Sequence, residues 1–510
     1  LSDLPVQLGV VFSLMVAISS SLTSDTSPPD ARLRLLATTD LHGHLLPSDY
    51  IKGQPTQGGG LAGLSRLIGE ARAEAAQTQT PVLLLDNGDT FQGTPLASHL
   101  AREAVCADHP IIACLNHLRY DALGLGNHDL DHGLAYLKSV AQALNMPILN
   151  SNLRGIDISP LRASLLLHVD LGTQAPAPLC VGLLSVLPAQ GAAWNSHHLD
   201  AGTTLDSAAQ TVRRCAKSLR AQGADLVIVL AHMGVGHPGA NCEDTQAAQA
   251  FADPDTIDAL ILGHTHRRLP SVEYATRGGV DLRASTLNGV PAIMAGHAGS
   301  DLGVMDLDLA HHTTRGWRVR AQHCALRSNG ANVAPDPAIC VFADAQHQIV
   351  TAQLAQPVAQ VSRDLHSFFS LVTAAPTQEL TARAQHRLIR DALRGTPEGE
   401  LPLLATAAAH GAGGRDGPDN YIHVPKGAVL RRHIAGLNPF TNQTLAIRIN
   451  GAQLRDWLEH AALLFNTLDP DAPAQMLVNA DVPAFQFDTI YGLEYTINPA
   501  AAPYSRITGM

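Results

Sequence analysis

The sequence has no CxxC pair, no surplus of positive charge and few aromatic residues, and each shortage narrows the reading. Seven Cys are scattered as Cys106, Cys114, Cys180, Cys215, Cys242, Cys324 and Cys340, a spacing that disfavours a thiolate zinc site. Cys106 and Cys114 could bridge locally, or remain buried thiols. A net charge of −11 leaves no broad basic face, which excludes a general binder of nucleic-acid polymers but not a small phosphate held at a local cationic site. Aromatic residues make up 4% of the chain, against 45% hydrophobic and 15% charged, the balance of an ordinary folded protein. Only one apolar run stands out, residues 8–18 (LGVVFSLMVAI). It is short for a membrane-spanning helix and fits the core of a signal peptide. The expectation is therefore a signal and linker over 1–30, export to the periplasm or medium, no stable membrane insertion, and a monomer.

With 510 residues the chain exceeds one compact core, so two or more domains are expected. Residues 33–38 (LRLLAT), 81–85 (PVLLL) and 147–149 read as buried strands, and 61–76 and 134–144 as helices by apolar spacing. The alternation resumes with a helix over 207–221 and strands at 225–230 and 259–262, while 303–309 and 317–320 read as closing strands. Strand, loop and helix in this order imply an α/β layered core with function in the loops that follow strands. Pro337 suits the first turn of a helix over 337–355. This places one domain at 31–333, a linker helix at 334–356 and a second domain at 357–510. In the second domain, 379–393 reads as a helix, 401–406 as a strand, and 445–464 as a strand followed by a helix.

Five short segments carry the chemistry: Asp40-Leu41-His42-Gly43, Gly88-Asp89 with Gln92-Gly93, Gly126-Asn127-His128-Asp129, Ala231-His232, and Gly263-His264-Thr265-His266. Each lies at or just after the end of an expected strand, and strand ends in an α/β layer converge on one edge. Asp-x-His and His-x-His place both side chains on one side of an extended segment. Taken singly, DxH and HxH are chance patterns, a lone His232 is a capping or core residue, and the glycines are turn residues. Taken together, Asp, His and Asn donors suit Mn, Zn, Fe or Co rather than the all-oxygen cage that Ca or Mg prefers. Two such ions about 3.5–4 Å apart can clamp a phosphate.

The ordered set resembles the calcineurin-like metallophosphoesterases, and GDxxQG with GNHD followed by Asp131 resembles their 5′-nucleotidase branch. The resemblance implies a four-layered α/β/β/α domain. It implies one metal held by Asp40, His42, Asp89 and His266, and a second held by Asp89, Asn127, His232 and His264. His128 would stay off the metals and act with Asp131 as a catalytic dyad. The family usually has Glu where this chain has Asp129, a residue not expected to be a ligand.

In the second domain, residues 411–427 (GAGGRDGPDNYIHVPKG) form a Gly-rich loop in which Arg415 could meet a phosphate, or simply be an exposed surface Arg. GGRxGPxxY, then Gly451-Ala452-Gln453-Leu454, Trp457-Leu458-Glu459 and Phe487-Asp488 are similar to the α+β substrate-binding domain of the 2′,3′-cyclic-nucleotide 2′-phosphodiesterase/3′-nucleotidases. By that resemblance Phe440 stacks on a base and Asn442 makes a nearby polar contact; without it, Phe440 is a core residue. Family members continue past Arg506-Ile507 and carry a second stacking aromatic there, so the C-terminal domain reads as incomplete. The activity implied is conversion of 2′,3′-cyclic nucleotides to 3′-nucleotides, then to nucleoside and phosphate. The alternatives are a 5′-nucleotidase or UDP-sugar hydrolase, an inactive nucleotide-binding fragment and, more remotely, a thiosulfohydrolase.

Overall fold

The computed structural model describes residues 29–155, 159–172, 175–236, 248–414, 417, 419–439, 444–479 and 482–510. The chain divides into two compact units. The first takes in 57–92 and 100–343 with the segment before Ser48, and the second takes in 344–510 with 48–56 and 93–99.

The first unit is built on two sheets. In one, β1 (Ala31–Thr38), β2 (Val82–Asp86), β3 (Ala122–Gly124) and β4 (Ile148–Leu149) run parallel. The other contains β5 (Ser164–Val169), β6 (Leu179–Val186), β7 (Leu226–Ala231), β8 (Ala259–Leu262) and β9 (Val290–Ala295), with β6 to β9 mutually parallel and β5 antiparallel at its edge. The long hairpin β10 (Asp301–His312) and β11 (Gly316–Ser328) extends the first sheet by antiparallel pairing of β10 to β1.

Side-chain alternation sorts the layers. Leu226, Ile228 and Leu230 of β7 join Leu33 and Leu35 of β1 and Met305 and Leu307 of β10 in a core between the sheets. Val227 and Val229 face the other way and pack with Val212, Ala216 and Leu219 of helix α1 (Ala208–Ala221). Ser207 caps that helix by accepting from the Gln210 amide. A second helix, α2 (Gly60–Gln77), buries Leu61, Leu64, Ile68 and Ala71 and packs beside β10. The result is an α/β/β/α sandwich.

The second unit contains α3 (Pro337–Leu354), most of which belongs to it, α4 (Pro376–Ala392) and α5 (Gly451–Ala461). Its strands pair two by two: β12 (Pro357–Val361) with β14 (Gly427–Leu430), and β13 (Ala405–Ala408) with β15 (Asp488–Tyr491). Two sequence expectations are corrected here. The strand placed at 401–406 is shifted to Ala405–Ala408, because residues 397–400 turn as a 3-10 helix. No strand forms at 445–450, where Leu445 and Ile447 are 76% and 64% exposed. Cys106 and Cys114 are both free. Arg415, Phe440, Asn442 and the run 8–18 lie outside the described residues.

Candidate metal centre

Because β1, β2 and β3 are parallel, as are β7 and β8, the five motif loops leave the two sheets at strand C-termini. Asp40 and His42 follow β1, Asp89 follows β2, Asn127 and His128 follow β3, His232 follows β7, and His264 and His266 follow β8. The first two loops are tied by backbone hydrogen bonds: the Asp40 amide donates to Gly88 O, His42 to Asp89 O and Gly43 to Thr90 O, and the third joins the second through the His128 amide, which donates to Asp89 Oδ1. Their approach is close enough to require glycine. A Cβ on Gly88 would sit 2.1 Å from the Gly126 nitrogen, and one on Gly126 would sit 2.1 Å from Asp89 Oδ1. Five of the seven expected ligands adopt positive φ: Asp40 (51°), His42 (48°), Asp89 (55°), His264 (67°) and His266 (57°). Such backbone costs on the order of 1–3 kcal/mol per non-glycine residue and collects at functional sites.

The side chains converge as two adjoining triads. The ligand atoms of Asp40, His42 and His266 lie within 4.8 Å of one another, as do those of Asp89, His232 and His264. Asp89 adjoins both, with Oδ2 3.0 Å from His232 Nε2 and 3.8 Å from His42 Nε2. The Asn127 Oδ1 lies 2.8 Å from His264 Nδ1. The rings are oriented from behind: Nδ1 of His42 and of His232 each bond a backbone carbonyl, Gln92 O and Asn87 O, at 2.8 Å. That fixes the tautomer and turns each Nε2 lone pair toward the centre.

This donor set fits divalent cations. His42 Nε2 and His266 Nε2 face each other at 3.0 Å, and the fully buried His232 Nε2 faces the Asp89 carboxylate. Burial opposes the charged form of His232, but Asp89 and Asp40 outweigh it and raise its pKa to about 10. Bound cations would compete for the same lone pair and displace that proton. Burial lowers His42 to about 3, leaving it neutral and ready to ligate. The His266 side chain is 40% exposed, so the centre opens to solvent on that side.

His128 stands beside the triads, its ring centroid 5.5 Å from that of His42. Its Nδ1 pairs with Asp131 Oδ2 at 2.8 Å. Burial works against its charge, but Asp89 and then Asp131 raise its pKa to about 9. The structure thus brings together all nine expected core residues. It also reveals three that sequence reasoning missed. Trp194 stacks on His264 at 5.7 Å and 7°, and His297 on His266 at 4.7 Å and 10°. Asp129 accepts four backbone hydrogen bonds. His297 follows the end of β9, a position that could have flagged it; Trp194 has no motif around it.

Fold and donor set together define a calcineurin-like metallophosphoesterase. Residues 33–268 match the family described as calcineurin-like phosphoesterase, and 329–510 match the 5′-nucleotidase C-terminal domain. The chain is 30% identical over 505 residues to a 2′,3′-cyclic-nucleotide 2′-phosphodiesterase/3′-nucleotidase of Yersinia enterocolitica, covering 96% of this chain and 77% of that one. It is 28% identical to the protein of that name from Salmonella typhimurium, covering 94% and 76%. A putative 5′-nucleotidase from Staphylococcus aureus shares the fold, with a TM-score of 0.71 at 19% identity over 94% of this chain and 86% of that chain. The chain belongs to the 2′,3′-cyclic-nucleotide 2′-phosphodiesterase/3′-nucleotidase family, which joins these two domains.

Proposed function

We propose that the protein hydrolyses 2′,3′-cyclic nucleotides to 3′-nucleotides and then releases nucleoside and phosphate, one water being consumed at each step. The observation that carries the reading is the pair of adjoining Asp/His triads with His128 beside them. Asp40, His42 and His266 would hold one divalent ion and His232, His264 and Asn127 the other, with Asp89 between them. The nitrogen-rich set suits Mn, Zn, Fe or Co. Such a pair supplies Lewis-acid charge at the phosphoryl oxygens and acidifies a water.

The chain's own residues do the rest. The Asn87 and Gln92 carbonyls hold the His232 and His42 rings in register. Asp131 anchors His128 Nδ1, so that the proton available for transfer sits on Nε2. From there His128 stabilises charge on the phosphoryl group and protonates the departing ribose oxygen, O2′ in the first step and O3′ in the second. By family resemblance Arg415 would meet a phosphate, Phe440 would stack on the base and Asn442 would contact it. Stacking on a flat ring favours any base, and so gives little base selectivity. Export rests on the run 8–18 alone; fractionation of expressing cells would place the mature chain.

The test is a substrate panel with the metal-loaded protein: 2′,3′-cAMP, 3′-AMP, 5′-AMP and a UDP-sugar. Turnover of the first two above the others is expected. Preference for 5′-AMP or the UDP-sugar would move the chain to the 5′-nucleotidase reading.

A further inference from the structure

Asp129 follows His128 in the chain, and its carboxylate is completely buried. Its Oδ2 accepts the amides of Gly126 at 2.8 Å and Asp89 at 2.9 Å. Its Oδ1 accepts those of Thr90 at 2.8 Å and Phe91 at 3.0 Å. Two oxygens thus serve four backbone donors from two loops that are far apart in sequence. Three of those donors are consecutive, residues 89–91, and they belong to the turn that holds Asp89 at a φ of 55°.

The turn so held is the hub of the centre. Asp89 Oδ1 is occupied by the His128 amide at 2.7 Å, which leaves Oδ2 facing His232 and His42. The carbonyls of Gly88, Asp89 and Thr90 in turn accept the amides of Asp40, His42 and Gly43. A constraint applied by Asp129 therefore reaches Asp89 directly, Asn127 and His128 through their shared loop, and Asp40 and His42 through one further layer of hydrogen bonds. Left-handed backbone at Asp89 is unfavourable by itself, and amides buried without acceptors add to that penalty.

We propose that Asp129 is a positioning residue for the metal centre: its carboxylate buckles the 88–91 turn to the 126–129 loop and presets Asp89 before any ion arrives. The inference rests on the dinuclear reading above and assigns Asp129 no contact with substrate or metal. A residue that orients ligands from behind changes metal affinity, typically 10–100-fold. A residue that only supports the fold lowers stability equally with and without metal.

The experiment compares wild type with Asp129→Asn and Asp129→Glu. The amide of Asn keeps one acceptor and sets an NH₂ against two backbone donors, whereas Glu keeps both oxygens but displaces them by one methylene. Mn²⁺ binding to chelator-stripped protein is measured by calorimetry, and thermal unfolding is measured in EDTA and in saturating Mn²⁺. The expected order of affinity is wild type, then Glu, then Asn, with Asn at least tenfold weaker. The rise in Tm on adding Mn²⁺ should shrink in the same order, because that rise reports binding. Wild-type affinity in Asp129→Asn, or an equal drop of Tm in both conditions, would overturn the proposal. If the Asn variant does not fold, the Glu variant decides by the same isotherm. Failure of the wild type itself to bind Mn²⁺ would be a different result, striking the metal reading instead.

Discussion

Two buried charges of opposite sign organise the two units by the same device and to different ends. In the first unit Asp129 gathers four amides. In the second Arg506, 1% exposed, donates to the carbonyls of Ala462, Phe465 and Ala501 and to Thr467 Oγ1, while the Glu459 carboxylate accepts the amides of Arg506 and Ile507. The backbone that Arg506 secures is relaxed: Ala462 and Phe465 have φ of −69° and −93°, and the contact seals the end of α5. The backbone that Asp129 secures is left-handed at Asp89, one of the candidate metal ligands. A buried charge that holds ordinary backbone contributes stability, whereas one that holds left-handed backbone at a cation site also contributes to what the site can bind.

The contrast can be broken from either side. The largest effect is expected from the centre itself: stripping metal with EDTA, or replacing Asp89 with Asn, should reduce phosphate release to background, and Mn²⁺ should restore only the stripped wild type. His128→Ala should lower kcat about 10²–10⁴-fold while leaving Mn²⁺ stoichiometry unchanged, since His128 adjoins the triads without joining them. Arg506→Ala should leave Mn²⁺ affinity and hydrolysis of a small generic ester unaltered. It should destabilise the second unit by about 3 kcal/mol, read from denaturant unfolding, because several buried oxygens lose their donor.

The smallest effect marks the surface. Glu74 accepts from Arg327 and Arg34, and the Arg327 hydrogen bond, against the opposing effect of burial, holds its pKa below the usual value. A depressed folded pKa means stability present above the unfolded pKa and lost as pH falls through the folded one. Glu74→Gln should therefore cost less than about 1 kcal/mol at pH 7, as expected for exposed pairs, and nothing once the pH is low enough to protonate Glu74 in the folded protein.

The sequence showed the donor set because chemistry at strand ends leaves a local mark. Apolar runs located β1, β2, β7 and β8, and the polar residues just past them are the ones that form the two triads. What it concealed is tertiary. Asp129 looks like the idle last letter of GNHD, since nothing in its spacing says that residues 89–91 come within its reach. Trp194 and His297 contact His264 and His266 only through the fold. The strand expected at the start of 445–464 does not form: Leu445, Ile447 and Ile449 alternate as a strand would, but a strand needs a partner, and no ladder forms there among the described residues. The grouping of 48–56 and 93–99 with the second unit left no local signal either, because it rests on contacts such as Tyr50 Oη with His347 Nδ1 at 2.9 Å.

The central claim is tested most directly by anomalous diffraction from crystals grown with Mn²⁺. The account predicts two peaks about 3.5–4 Å apart, one bounded by Asp40, His42 and His266, the other by His232, His264 and Asn127, with Asp89 touching both. A single peak, or ions bound away from these residues, would contradict it.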